Sequence, residues 1–93
     1  MRKSASALTP EEAEAIALLA LAFVASDAPR LARFLALTGI SPETLKTRAG
    51  DRDVLVAVLD HVLHDESMLL EFTANSAIAP HAIAPAHHIL SSG

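Results

Sequence analysis

From Ala15 to Ala25 the chain carries no polar side chain, and the residues just before this run form a complete helix start. Thr9 is placed to cap the N-terminus, Pro10 suits the first helical position, and Glu12 closes a capping box. A helix at the surface of a small monomer is expected to show a polar face. Either the other elements enclose this one or a second chain covers it, the alternative being a monomer with a modest exposed apolar patch. Ala17, Ala20 and Ala22 permit close approach, whereas Ile16, Leu19, Leu21 and Phe23 are the candidate self-association residues. A two-fold homodimer is the expected form, since two-fold dimers dominate among soluble oligomers.

Composition points the same way. The chain has 93 residues, enough for one domain that buries about 60–65% of its unfolded surface. Most apolar residues are Ala and Leu, with Phe only at positions 23, 34 and 72 and no Trp or Tyr. Such a core buries little area per residue and is marginal alone. The net charge of −4 argues against nucleic acid and anionic membranes as partners. The absence of Cys excludes disulfides and Cys-ligated metals. Arg2 and Lys3 before the apolar run, and Ala25-Ser26-Asp27-Ala28 after it, outline a signal peptide. Glu11, Glu12 and Glu14 interrupt that outline, and the run is short of the ~20 residues that span a membrane. A cytoplasmic chain with no membrane segment is expected.

The rest of the chain is punctuated by helix caps. Asp27 starts a second helix, with Pro29 in its first turn and Gly39 as a left-handed end followed by Ile40. Ser41-Pro42-Glu43 starts a short third helix closed by Gly50. Asp51 caps a fourth, along which Val54, Leu55, Val58, Leu59, Val62 and Leu63 form one stripe. Asp65 caps a fifth that runs to about Asn75. Pro80 starts a sixth, and Pro85 is expected to break or kink it. The fold class is all-α, a compact bundle of five or six short helices. Residues 1–8 form a flexible N-terminus, 9–90 a single helical domain, and 91–93 a loose end.

An internal offset of 38 residues pairs Leu21 with Leu59, Val24 with Val62, Asp27 with Asp65 and Leu31 with Leu69. It also pairs Phe34 with Phe72, Ile40 with Ile78 and Pro42 with Pro80. The Asp, Phe, Ile and Pro matches weigh most because these residues are scarce here. Two pseudo-repeated helical units stand against chance similarity between amphipathic helices.

Little in the sequence suggests chemistry. His61 and His64 lie three apart beside Asp60, Asp65 and Glu66, a spacing that places two imidazoles within reach of one metal ion. The order matches neither the helical zinc-protease motif nor a di-iron pair, so two half-exposed polar residues without a metal are expected. His81, His87 and His88 fall in a Pro/Ala/His stretch read as a poorly ordered tail. No nucleophile–base arrangement and no phosphate-cradling loop is present, so no enzyme activity, catalytic residue or cofactor is assigned.

Leu31 to Arg48 has helix-turn-helix rhythm, with Gly39 in the turn and Thr44, Lys46, Thr47 and Arg48 on the helix that would meet nucleic acid. Leu35 stands where that motif usually has Ala. The alternative to a self-associating interaction module is therefore a small DNA-binding or regulatory protein using this corner.

The run Phe34-Leu35-Ala36-Leu37-Thr38-Gly39-Ile40-Ser41-Pro42, the corner Arg48-Ala49-Gly50-Asp51, Val58-Leu59-Asp60 and the stretch Asp65 to Leu70 together resemble the bacterial domain-of-unknown-function family 3572. The likeness covers Pro10 to about Pro85. It implies a short helical protein of mostly alphaproteobacterial kind and carries over no site residue. At the C-terminal end the family is expected to continue a charged helix, where this chain has Pro85 and histidines.

Overall fold

The computed structural model describes residues 8–92. Six α-helices follow in order: α1 (Pro10–Ala25), α2 (Ala28–Thr38), α3 (Pro42–Arg48), α4 (Arg52–Leu63), α5 (Glu66–Ser76) and α6 (Ile83–Ser92). A 3₁₀ turn over Pro80–Ala82 leads into α6. No strand occurs among the described residues, and the all-α bundle matches the expectation.

The caps explain the boundaries. Thr9 Oγ1 accepts from the Glu12 amide at 3.0 Å and Glu12 Oε1 accepts from the Thr9 amide at 2.9 Å, so two otherwise orphaned donors are satisfied reciprocally. Asp27, Ser41 and Asp65 each accept the amide three residues on, at 3.0, 3.0 and 3.1 Å. Asp51 departs from the pattern. It occupies the N-cap of α4 without capping it through its side chain, and its carboxylate lies instead 3.3 Å from Arg48 Nε.

The core lies where α1, α4 and α6 pack against one another, with α2 and α5 flanking. Val24, Phe34, Val58, Leu59, Val62, Phe72 and Ile83 have no solvent exposure. At the far end of α6 the Leu90 carbonyl accepts from the Arg52 guanidinium at 3.0 Å, which places a cation at the C-terminus of that helix. α3 buries no residue.

Several expectations about the ends need correction. Pro85 does not break α6. The helix begins at Ile83, so Pro85 sits in its first turn, where a missing N–H costs nothing. Ser91 and Ser92 are helical rather than loose, and their hydroxyls donate to the His88 carbonyl at 3.3 and 2.8 Å. The His stretch is therefore an ordered helix, anchored by Ile83, Ala86 and Leu90 in the core. Leu8, assigned to a flexible terminus, packs against the core. The same reading of residues 1–7 and Gly93 lies outside the described residues.

The 38-residue offset reappears in the helix boundaries. α2 and α5 start and stop in register, at Ala28/Glu66 and Thr38/Ser76. The corners before them match as well. Ser26 (φ −76°, ψ −7°) corresponds to His64 (−89°, 5°), and Asp27 (−133°, 119°) to Asp65 (−138°, 97°). Both helices end on a left-handed residue, Gly39 in the first half and Ala77 in the second. The contacts are reciprocal too: α1 packs on α5 as α4 packs on α2. The halves diverge after their prolines. α3 stops at Arg48, whereas α6 runs on and wedges between α1 and α4.

Candidate functional site

α1 is neither fully enclosed nor amphipathic in the ordinary sense. Ala13, Ala17, Ala20, Leu21 and Val24 face the core, while Ala15, Leu18, Leu19, Ala22 and Ala25 are exposed. Leu18 is 46% and Leu19 49% exposed. The open face is thus apolar from its second turn to its end. Ala15, Leu18, Ala22 and Ala25 recur at alternating spacings of three and four, the a/d pattern of a coiled-coil seam.

The self-association residues read from the sequence divide on this structure. Leu19 is on the open face and Ile16 lies half-buried at its edge. Leu21 is a core residue at 8% exposure, on the same buried face of α1 as Ala17 and Val24. Phe23 is taken up by the molecule itself: its ring lies 5.5 Å from that of Phe72, and the Arg30 guanidinium sits 4.1 Å over its centre. Leu18 completes the face in their place. Its signal in the sequence was the seam spacing with Ala15 and Ala22, which an all-apolar run obscures.

A groove of about 420 Å³ runs between the end of α2 and α4, lined by Leu37, Thr38, Ala57, Asp60, His61 and His64. Leu37 is 66% exposed at its rim. A second groove of about 280 Å³ continues it past Thr38 toward Ile40 and Arg48. His61 is the unusual wall residue. It is only 9% exposed, its ring meets Phe34 edge-on at 5.2 Å, and its Nε2 is buried without a hydrogen-bond partner. Burial first, and the Arg33 charge second, hold its pKa below the ordinary histidine value.

His61 therefore is not the half-exposed polar residue expected from sequence, since its position continues the buried stripe of Val54 and Val58. His64 points to solvent, with Nδ1 2.8 Å from the Asp60 carbonyl and 3.6 Å from the Asp60 carboxylate. The two imidazoles thus do not converge. From α6, His87 approaches the other Asp60 oxygen at 3.7 Å. Among the described residues no three His, Cys, Asp or Glu side chains gather as a metal ion would require.

The α2–α3 corner turns through Gly39 at φ 77°. Of the residues proposed to meet nucleic acid, Lys46, Thr47 and Arg48 are exposed and Thr44 is half-buried, its hydroxyl accepting from Ser41 at 2.9 Å. Thr47 donates to the Glu43 carbonyl at 3.0 Å, and Arg48 faces Asp51. Acidic groups thus flank the short helix at both ends.

Among the described residues no single helix is long and apolar enough to cross a membrane. α1 and α2 reach that length and composition only together, and they are bent by 115°. Compared with known proteins, the chain matches the model of a family described as "Protein of unknown function (DUF3572)" over residues 10–93. The match runs past Pro85, where the resemblance had been expected to end. No curated protein and no solved structure matches the chain.

Proposed function

We infer that this chain, which belongs to the DUF3572 family of proteins of unknown function, is a non-enzymatic helical interaction module that pairs with a second copy of itself. The observation that carries the reading is the open face of α1, apolar from Ala15 to Ala25 with Leu18 and Leu19 about half exposed. Apolar positions at coiled-coil spacing favour another helix of the same pattern as the cover.

An antiparallel pair fits best. The seam from Ala15 to Ala25 is centred at position 20, so Ala15 of one copy meets Ala25 of the other, Leu18 meets Ala22, and the small residues admit close approach. Charge supports this direction. Glu11, Glu12 and Glu14 stand at the start of α1, and Arg30 stands by its end, donating to the Phe23 carbonyl at 2.9 Å. A parallel pair would set the acidic ends side by side. One helix face is smaller than the ~800 Å² per partner of a standard stable interface, so the dimer is weak and concentration-dependent. A bacterial cytoplasm, where a Cys-free chain needs no oxidising compartment, is part of the same reading. The nucleic-acid alternative draws on Lys46 and Thr47 but meets Glu43, Asp51 and a net charge of −4.

Light scattering on the untagged chain tests the proposal. A mass rising from one chain of 9.8 kDa toward twice that value on concentration is expected. Leu18→Glu should hold the mass at one chain with helicity unchanged. A single-chain mass that persists in concentrated wild-type protein would overturn it.

A further inference from the structure

We propose that the α2–α4 seam is an acid-sensitive clasp: protonation of His61 frees Phe34 and widens the groove between these helices, while the corresponding α1–α5 seam stays closed. Two aromatic contacts tie the halves together. Phe23 of α1 meets Phe72 of α5 at 5.5 Å, and His61 of α4 meets Phe34 of α2 at 5.2 Å. Under the 38-residue offset, position 61 corresponds to 23 and position 72 to 34. The two contacts are therefore one clasp made twice, each half supplying one ring to each. Phe34 and Phe72, the rings that α2 and α5 supply to the two contacts, are both fully buried.

Only one of the two can titrate. An imidazolium at position 61 would place a charged N–H at Nε2, where no acceptor lies within hydrogen-bonding reach. A buried charge without a partner costs far more than a neutral ring at the same place. The surrounding charges do not remove this cost. Arg33 on α2 and His64 on α4 oppose a second positive charge, while Asp60 on α4 and Asp65 at the head of α5 favour it. From α6, His87 approaches Asp60 at 3.7 Å. The buried residues of α1 are Ala13, Ala17, Ala20, Leu21 and Val24, none of which titrates.

The sign follows from linkage. His61 binds its proton less well folded than unfolded, so its contribution to stability is complete above the ordinary histidine pKa of about 6.5. It is lost as pH falls through the window just below that value. Because the seam opens to relieve the charge, the loss falls first on α2. What becomes accessible is the buried ring of Phe34, next to the groove already open beside Leu37.

Amide hydrogen exchange on the full chain tests this, comparing protection factors in α2 (Phe34–Thr38) with those in α5 (Phe72–Ser76) from about pH 7.5 to about pH 5. The α2 factors should fall relative to α5, by up to about tenfold per pH unit within the window. His61→Phe installs the ring that the other clasp already has and should abolish the difference. His61→Leu serves the same purpose if that variant does not fold. A double variant, His64→Gln with His87→Gln, should keep the response. The proposal is overturned if α2 and α5 lose protection equally in the wild type, or if the difference survives in the His61 variant or vanishes in the double variant. A His61 NMR titration midpoint at or above about 6.5 would likewise overturn it.

Discussion

Exchanging the residues that end α2 and α5 should change stability in opposite directions. Gly39 and Ala77 occupy matching places, at φ 77° and 56°, and each donates its amide to the helix four residues back, at Leu35 and Thr73. An L-residue with a Cβ loses about 1–2 kcal/mol in the left-handed region, a cost that Ala77 bears and Gly39 does not. Glycine in turn loses about 0.5–1 kcal/mol more than alanine in chain entropy on folding. The difference leaves Ala77→Gly stabilising by about 0.5–1 kcal/mol, and Gly39→Ala destabilising by a similar amount. Sterics do not confuse the comparison, since a Cβ at Gly39 would meet nothing within 4 Å. Urea unfolding followed by far-UV circular dichroism suits a chain without Trp or Tyr. In thermal melts the shifts should be about 2–8 °C, upward for Ala77→Gly and downward for Gly39→Ala. A destabilised Ala77→Gly together with an unchanged Gly39→Ala would refute the reasoning, because backbone strain would then not govern these helix ends.

Two further outcomes are expected. Asp27→Ala and Asp65→Ala should each cost about 1 kcal/mol by removing a side-chain cap, measured by the same unfolding assay. Asp51→Ala should cost clearly less, since its carboxylate caps nothing and loses only an exposed pairing with Arg48. Phe34→Ala and Phe72→Ala should each cost about 3–5 kcal/mol, because both rings are fully buried. A domain of this size has roughly 5–15 kcal/mol in total, so circular dichroism should show one or both variants partly unfolded.

What the sequence made legible was mostly local chemistry. A cap is a side chain and an amide three residues away, and Thr9, Asp27, Ser41 and Asp65 announce themselves without tertiary information. The 38-residue offset was equally visible in scarce residues. Orientation was not. Along α1 every face is apolar, so periodicity carries no information about which side meets α4 and α6. Leu21 could thus be taken for a surface residue and Leu18 left out. His61 was misplaced for a related reason. Its neighbours Asp60, His64 and Asp65 are polar and suggest a solvated face, but its spacing from Val54 and Val58 puts it on the buried stripe. Its correspondence with Phe23 was the second available signal. Pro85 was read as a breaker because its effect depends on where the helix begins. That start is set by the 3₁₀ turn and the burial of Ile83, neither of which a proline reveals.

The twice-made clasp also bears on how such a molecule can change over generations. In a pair of identical chains every substitution arrives in both copies, so a ring that suits one contact must suit its twin. Here both contacts belong to a single chain, and each is encoded separately. Phe23 and His61 are two positions with one place in the pseudo-repeat and different chemistry. Joining the halves end to end makes a symmetric scaffold free to become asymmetric one residue at a time. The intact contact holds the fold while the other is altered.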